Sequence, residues 1–177
     1  MPVTKSRVDL RKWNKLRADV AKFEGAKVNV GVLASKGGNA PHDGGKGITL
    51  IELAAVHEFG SPEANVPERS FLRRTFIEQA QPFGEVCAKV AKGIVLGRFA
   101  PPQALTIIGE WGVAAVRRTI TEGDGVPPPN AESTKKAKGS SRPLVDTGQL
   151  LNAVAYDVVI VDRGHLAPPP DDRGHLK

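Results

Sequence analysis

Lys46 behind two glycines, the pair His57-Glu58 and the single thiol of Cys87 are the residues whose types and spacing come nearest to chemistry. Gly45-Lys46 sits between a strand pattern and a helix pattern, the setting of a phosphate-binding loop. That loop needs G-x-x-x-x-G-K-[ST], so that backbone N–H groups cradle phosphate and a hydroxyl meets magnesium. Here the first glycine position is Ala40 and the hydroxyl position is Gly47. Two of the fixed positions fail, and nucleotide binding is marked down. His57-Glu58 opens like a zinc-protease motif, but the second histidine would be residue 61, which is Ser61. His42, His165 and His175 fall in loop-like sequence, and zinc needs three or four converging ligands.

Cys87 stands alone, which excludes an intrachain disulfide and a thiolate cluster. It lies in an apolar helical register, where a buried inert thiol is the ordinary outcome. No nucleophile elbow is present, and the carboxylates Asp162, Asp171 and Asp172 form no paired-acid motif. The sequence therefore predicts no catalytic residue, no cofactor, no metal site and no enzyme.

The elements that position these residues are clearer than the chemistry. An apolar helical run enters at Ile48 and stops at Gly60-Ser61-Pro62. Glycine can take positive φ just past a helix end, and Pro62 cannot continue the helix. Val66-Pro67 reads as extended, because a residue before proline avoids the α region. A new helix leaves from Ser70, the expected N-cap, carrying Phe71, Leu72, Phe76 and Ile77. Residues 57–73 thus form a corner, with His57 at a helix C-terminus near the negative end of its dipole.

Before the corner, residues 6–24 read as an amphipathic helix with Trp13, Leu16, Val20 and Phe23 on one face. Arg11, Lys12, Lys15, Arg17 and Lys22 lie around it as a solvated basic face. Lys27–Leu33 alternates as a half-buried strand, with Val28, Val30 and Val32 on one side. Residues 34–47 predict a flexible Gly-rich loop. The helix from Ile48 to Phe59 is apolar on much of its surface and is expected to be buried.

After the corner, Pro82 predicts a kink or a new start, and Phe83, Val86, Val90 and Ile94 continue to about Leu96. Residues 97–102 break the pattern. Leu105, Ile108, Gly112, Ala115 and Thr119 mark one face of a further helix, whose small residues admit a close neighbour. Residues 123–143 are loop-rich, with a short helix at 131–137. Asp146 or Thr147 is expected to cap a short helix carrying Leu150, Leu151 and Val154. Residues 155–161 read as a last strand, able to pair with the first. The tail repeats Asp-Arg-Gly-His-Leu at 162–166 and 172–176 around three prolines. One repeat builds no solenoid. Residues 162–177 are expected to be disordered alone or docked on another subunit, leaving 1–161 as one domain.

Composition agrees with a single domain. The chain has 177 residues, is 40% hydrophobic and carries a formal charge of +6. Its pI is about 9.6, which permits contact with nucleic acid without establishing it. Its 19 glycines and 14 prolines cluster, so the loops should be long and localised. The first residues form no apolar signal region, and no apolar run is long enough to span a membrane. These features predict a protein made in a cytoplasm and soluble or assembled there.

Three segments taken together carry a resemblance. They are Leu53-Ala54-Ala55-Val56-His57-Glu58-Phe59-Gly60, then Val66-Pro67-Glu68-Arg69-Ser70-Phe71-Leu72-Arg73, then Pro128-Pro129-Asn130 through Ser133-Thr134-Lys135 to Pro143-Leu144-Val145-Asp146-Thr147-Gly148-Gln149-Leu150. In this order and spacing the chain, over roughly residues 25–161, resembles the tail-completion (neck, or virion morphogenesis) proteins of tailed bacteriophages. The resemblance implies an α+β fold: a small antiparallel sheet flanked by several helices, with long Gly/Pro-rich loops. It also implies a structural virion protein at the head–tail junction, assembled in the host bacterial cytoplasm. The partners implied are copies of itself in a ring, most simply a hexamer, and adjacent connector or tail-tube proteins. Genomic DNA would pass through the lumen without sequence-specific binding, and no membrane is involved.

On this reading the subunit-interface candidates are Arg69, Arg73, Lys46, His42, Arg142 and Asp146. Arginine suits interface carboxylates; loop 34–47 would face the lumen or reach a neighbour, and residues 143–150 would anchor the second long loop. The competing reading of the corner takes Phe71 and Leu72 as core and both arginines as solvated. The alternatives for the whole chain are a tail terminator or minor tail protein, and a basic nucleic-acid-binding protein using the N-terminal helix with Lys135, Lys136 and Lys138.

Overall fold

A 21-residue helix at Pro101–Thr121 is the longest element and the one the others pack on. In the computed structural model, the residues described are 10–21, 25–43, 47–122, 126–138, 143–144 and 147–160. In chain order they form α1 (Arg11–Ala21), β1 (Lys27–Val32), a 3-10 turn (Ala34–Lys36), α2 (Leu50–Phe59), α3 (Phe71–Glu78), α4 (Ala80–Val95), α5 (Pro101–Thr121), α6 (Glu132–Lys138), α7 (Gln149–Ala153) and β2 (Val154–Val159). The fold is α+β. Phe23, Lys46, Arg142, Asp146 and the repeated tail lie outside the described residues.

α5 starts earlier than periodicity implies. Pro101 and Pro102 sit in its first turn, where the missing N–H groups need no intrahelical partner. Gln103 Oε1 accepts from the Ala100 N–H at 3.1 Å. Of the face read from the sequence, Leu105, Gly112 and Ala115 are buried while Ile108 and Thr119 are half-buried; Gly109, Val116 and Ile120 are buried beside them. A Cβ on Gly112 would stand 2.8 Å from Val30 Cγ2, so glycine there lets the sheet lie directly on the helix. Gly109 meets the Tyr156 ring in the same way.

β1 and β2 pair antiparallel, from Lys27 opposite Val159 to Val32 opposite Val154. Alternation places Val28, Val30, Val32, Val154, Tyr156 and Val158 on the face toward α5. Lys27, Asn29 and Asp157 point the other way. The main core gathers at the Val32–Val154 end, where Ala54, Phe71, Val116, Ile120, Val126, Leu144, Leu150 and Val154 are buried together. Leu144 holds φ at +61°, a region costly for a branched side chain; its burial among these residues offsets that cost.

Several boundaries differ from the sequence reading. Of the kink or new start expected at Pro82, the structure has the new start, a few residues earlier. The chain turns at Gln79, and Pro82 then sits in the first turn of α4, where proline is tolerated. Buried Thr75 joins α3 to α5: its hydroxyl lies 2.6 Å from Phe71 O and 2.8 Å from the Thr119 hydroxyl. α2 is less buried than its composition suggests. Leu50, Ala54 and Glu58 are inside, while Ala55 is exposed. Its start is fixed by a capping box readable as Thr49-x-x-Glu52. Thr49 N–H donates to Glu52 Oε2 at 2.7 Å, and Glu52 N–H donates back to Thr49 Oγ1 at 3.3 Å. The hydrogen bond from the Thr49 backbone, then that from its hydroxyl, holds the Glu52 carboxyl below its ordinary pKa.

The described part of the Gly-rich loop is folded rather than flexible. Gly38 N–H donates to Leu33 O at 2.8 Å, His42 N–H to Ile48 O at 2.9 Å and Leu50 N–H to Ala40 O at 3.0 Å. At α7 the N-cap position falls one residue past Thr147, and Asp146 lies outside the described residues. Gly148 is the N-cap, at φ +78°, with no side-chain hydrogen bond.

Candidate functional site

Glu58, on the last turn of α2, organises the corner. It is 5% exposed and its carboxylate reaches across the turn to the start of α3. Oε1 accepts from the Ser70 hydroxyl at 2.7 Å and from the Arg73 N–H at 3.0 Å; Oε2 accepts from the Leu72 N–H at 2.8 Å. The first N–H groups of a helix lack internal partners and carry partial positive charge. A carboxylate answers both needs. Ser70 holds the N-cap position, but it donates to Glu58 instead of capping α3 itself.

The chain between these helices is equally fixed. Gly60 takes φ +75° and ψ 168°, and a Cβ there would lie 2.9 Å from Glu68 N. Only glycine meets both demands. Ser61 and Val66 exchange backbone hydrogen bonds of 2.8 and 2.9 Å, closing a small turn, and Arg69 N–H donates to His57 O at 2.7 Å.

The two arginines of the corner have different fates. Arg69 is buried. Its Nε–H donates to Pro128 O at 2.9 Å, and Nη2 donates to Pro129 O at 3.3 Å. Burial lowers its pKa from the ordinary arginine value, yet a guanidinium stays protonated in proteins. It meets carbonyls of its own chain and staples the second long loop to the corner. Arg73 faces outward. Its guanidinium lies 3.4 Å from Glu68 Oε1 and 5.8 Å from the centre of the Phe59 ring, and Phe59 is 68% exposed. Phe71 is fully buried, as the core reading had it.

His42 turns back onto its own chain. Its Nδ1–H donates to Gln149 Oε1 at 2.8 Å, which also accepts from the Asp43 N–H at 3.2 Å. The Gln149 amide donates to the Asp43 carboxylate. This pins the Gly-rich loop to α7. Of the six interface candidates, the structure describes Arg69, Arg73 and His42; Arg69 and His42 line one cavity, and Arg73 reaches Glu68 on its wall. Lys46, Arg142 and Asp146 lie outside the described residues.

That cavity is a cleft of about 890 Å³ between the corner and the second loop. Leu53, Phe59, Val66, Pro128, Leu144 and Leu150 give it an apolar lining, and His57, Glu68, Asn130 and Gln149 add polar groups. All three segments singled out in the sequence contribute walls, although the third is distant in the chain from the first two. Among the described residues, no cluster of His, Cys, Asp and Glu could hold a metal ion. No helix among them is long and apolar enough to cross a membrane.

Sequence reasoning missed the role of Glu58. A signal was present: the first turn of α3 has no acidic residue and carries Arg73 and Arg74 near its positive end, so an anion from elsewhere was required. The Arg69 staple left no such signal, because its acceptors are main-chain carbonyls distant in sequence. Comparison with protein-family models, curated proteins and solved structures finds no match.

Proposed function

We propose that this chain is a structural virion protein of a tailed bacteriophage, completing the tail at the head–tail junction as part of a ring around the DNA channel. It acts by geometry and contact and is not an enzyme. The observation that carries the reading is the set of three segments at 53–60, 66–73 and 128–150, whose order and spacing resemble tail-completion proteins. The same segments are the walls of one cleft, so the residues that carry the resemblance share a location. The corner presents Phe59 and Arg73 outward on a locked frame, an arrangement suited to a protein–protein contact. In a ring each subunit meets its two neighbours through different patches.

Negative-stain imaging of the purified protein, and of particles assembled without it, tests the proposal. The expected result is rings with a central hole, and heads and tails left unjoined when the protein is missing. Monomers only, together with normal joining, would overturn it. A second reading, duplex DNA binding, is favoured by the exposed cations Arg11, Lys12 and Arg17 of α1 and Lys136 of α6. It requires affinity for free duplex that falls steeply with salt.

A further inference from the structure

Arg69 is 7% exposed, yet among the described residues it pairs with no carboxylate. Arg73, Arg74 and Arg118 are far more exposed, and each pairs with a glutamate. Solvent can balance a surface charge. A buried guanidinium has to find its partners inside the protein or on a ligand, because removing it from water is costly unless it is paired and hydrogen-bonded.

The shape of the guanidinium shows what is left over. The planar group presents two forked edges of N–H donors. Nε and Nη2 make one edge, and Pro128 O and Pro129 O occupy it at 2.9 and 3.3 Å. Nη1 and the second N–H of Nη2 make the other. Among the described residues that second edge has no acceptor. Arg69 lines the cleft, and its Nη1 is not sealed from solvent.

The surroundings narrow the ligand. A forked edge matches the paired oxygens of a carboxylate and also accepts phosphate. Among the described lining residues, Arg69 is the only buried formal charge. Glu68 is exposed and held by Arg73 at 3.4 Å, and His42 is engaged with Gln149. One guanidinium balances one carboxylate, whereas a phosphate monoester approaching two negative charges would be only half compensated. The rim around Arg69 is apolar and open: Pro62, Pro67, Pro128 and Pro129 are exposed, and Phe59 is 68% exposed. Prolines have a fixed φ, so this rim loses little freedom when covered. An acidic residue within a protein chain meets both features at once, its carboxylate on Arg69 and its apolar neighbours on the rim.

We propose that the free edge of Arg69 receives the carboxylate of an aspartate or glutamate in an extended segment of a partner protein, which lies across the prolines and Phe59. The proposal goes beyond the ring reading and does not depend on it. The test uses the full chain and a blocked, dansyl-labelled peptide with one aspartate between leucines, followed by fluorescence anisotropy. The same peptide with asparagine should bind about tenfold more weakly, the cost of losing a charge-assisted bond. Excess acetate should displace the aspartate peptide, and inorganic phosphate at equal ionic strength should not. Arg69→Gln, with folding verified by circular dichroism, should abolish the preference for aspartate. The acetate and phosphate arms need no variant and decide the matter even if Arg69→Gln fails to fold.

Equal binding of the two peptides, or none, overturns the proposal. So does displacement by phosphate as readily as by acetate, and so does a folded Arg69→Gln that keeps the preference. Asp146 neighbours the lining residues Leu144 and Thr147 in sequence. Aspartate-peptide binding that appears only in Asp146→Asn would mean that the chain fills this edge itself, which also overturns the proposal. Peptide binding and ring formation are read separately, so either can fail while the other stands.

Discussion

The corner at 57–73 and the arm α1 differ in what holds them. In the corner, Glu58 reaches the start of α3 through three hydrogen bonds. Arg69 binds carbonyls about sixty residues away, and Gly60 has a conformation that only glycine tolerates. In α1 one side-chain pair is local, Lys15 with Asp19 at 2.6 Å. That pair has its cation on the N-terminal side, the weaker order for a helix. One region is locked by its own chain. The other has chemistry suited to contact and no buried residue. The difference indicates which region is frame and which is available to a partner.

Three substitutions would break or sharpen that contrast. The largest effect is expected for Glu58→Ala, which strands the Ser70 hydroxyl and two N–H groups at the start of α3. Lost bonds to a charged group of this kind predict about 3 kcal/mol of destabilisation in urea unfolding; a loss below about 1 kcal/mol would mean that Glu58 does not lock the corner. Arg69→Lys keeps the charge and removes the planar fork. It should cost about 1–2 kcal/mol, with increased amide exchange near Pro128 and Asn130 as the accompanying sign. Unchanged exchange there would show the second loop to be held by other contacts. Trp13→Ala should alter the stability of the isolated monomer by no more than about 0.5 kcal/mol. A larger loss would place α1 in the frame and erase the contrast.

The helices and strands were largely legible. β1, α2, α4 and much of the packed face of α5 follow from apolar spacing and from glycine and proline, signals that act over a few residues. The errors fell where a long-range contact competes with a local rule. The new start expected at Pro82 is present, but the break itself falls at Gln79, because proline is harmless in a first turn. The Gly-rich loop read as flexible, yet backbone bonds from Gly38, His42 and Leu50 fold it. Thr49-x-x-Glu52 was there to be read and was passed over. For the site, position was legible and role was not: residues 57–73 stood out, but Arg69 turned inward, His42 turned to Gln149, and His57-Glu58 drew attention for a metal motif it does not complete.

By itself, the sequence determined two strands distant in the chain and able to pair, and the glycine stop and proline-bounded crossing of the corner. Each depends on backbone preference or hydrophobic period, which a residue carries wherever it stands. Only the tertiary structure decided that Glu58 caps α3, that Arg69 is a staple, that three separate segments share one cleft, and that α1 leaves its apolar face uncovered. Those outcomes depend on distances between residues far apart in the chain. A carboxylate or guanidinium has the same formula whether it ends against a helix start, a carbonyl or water.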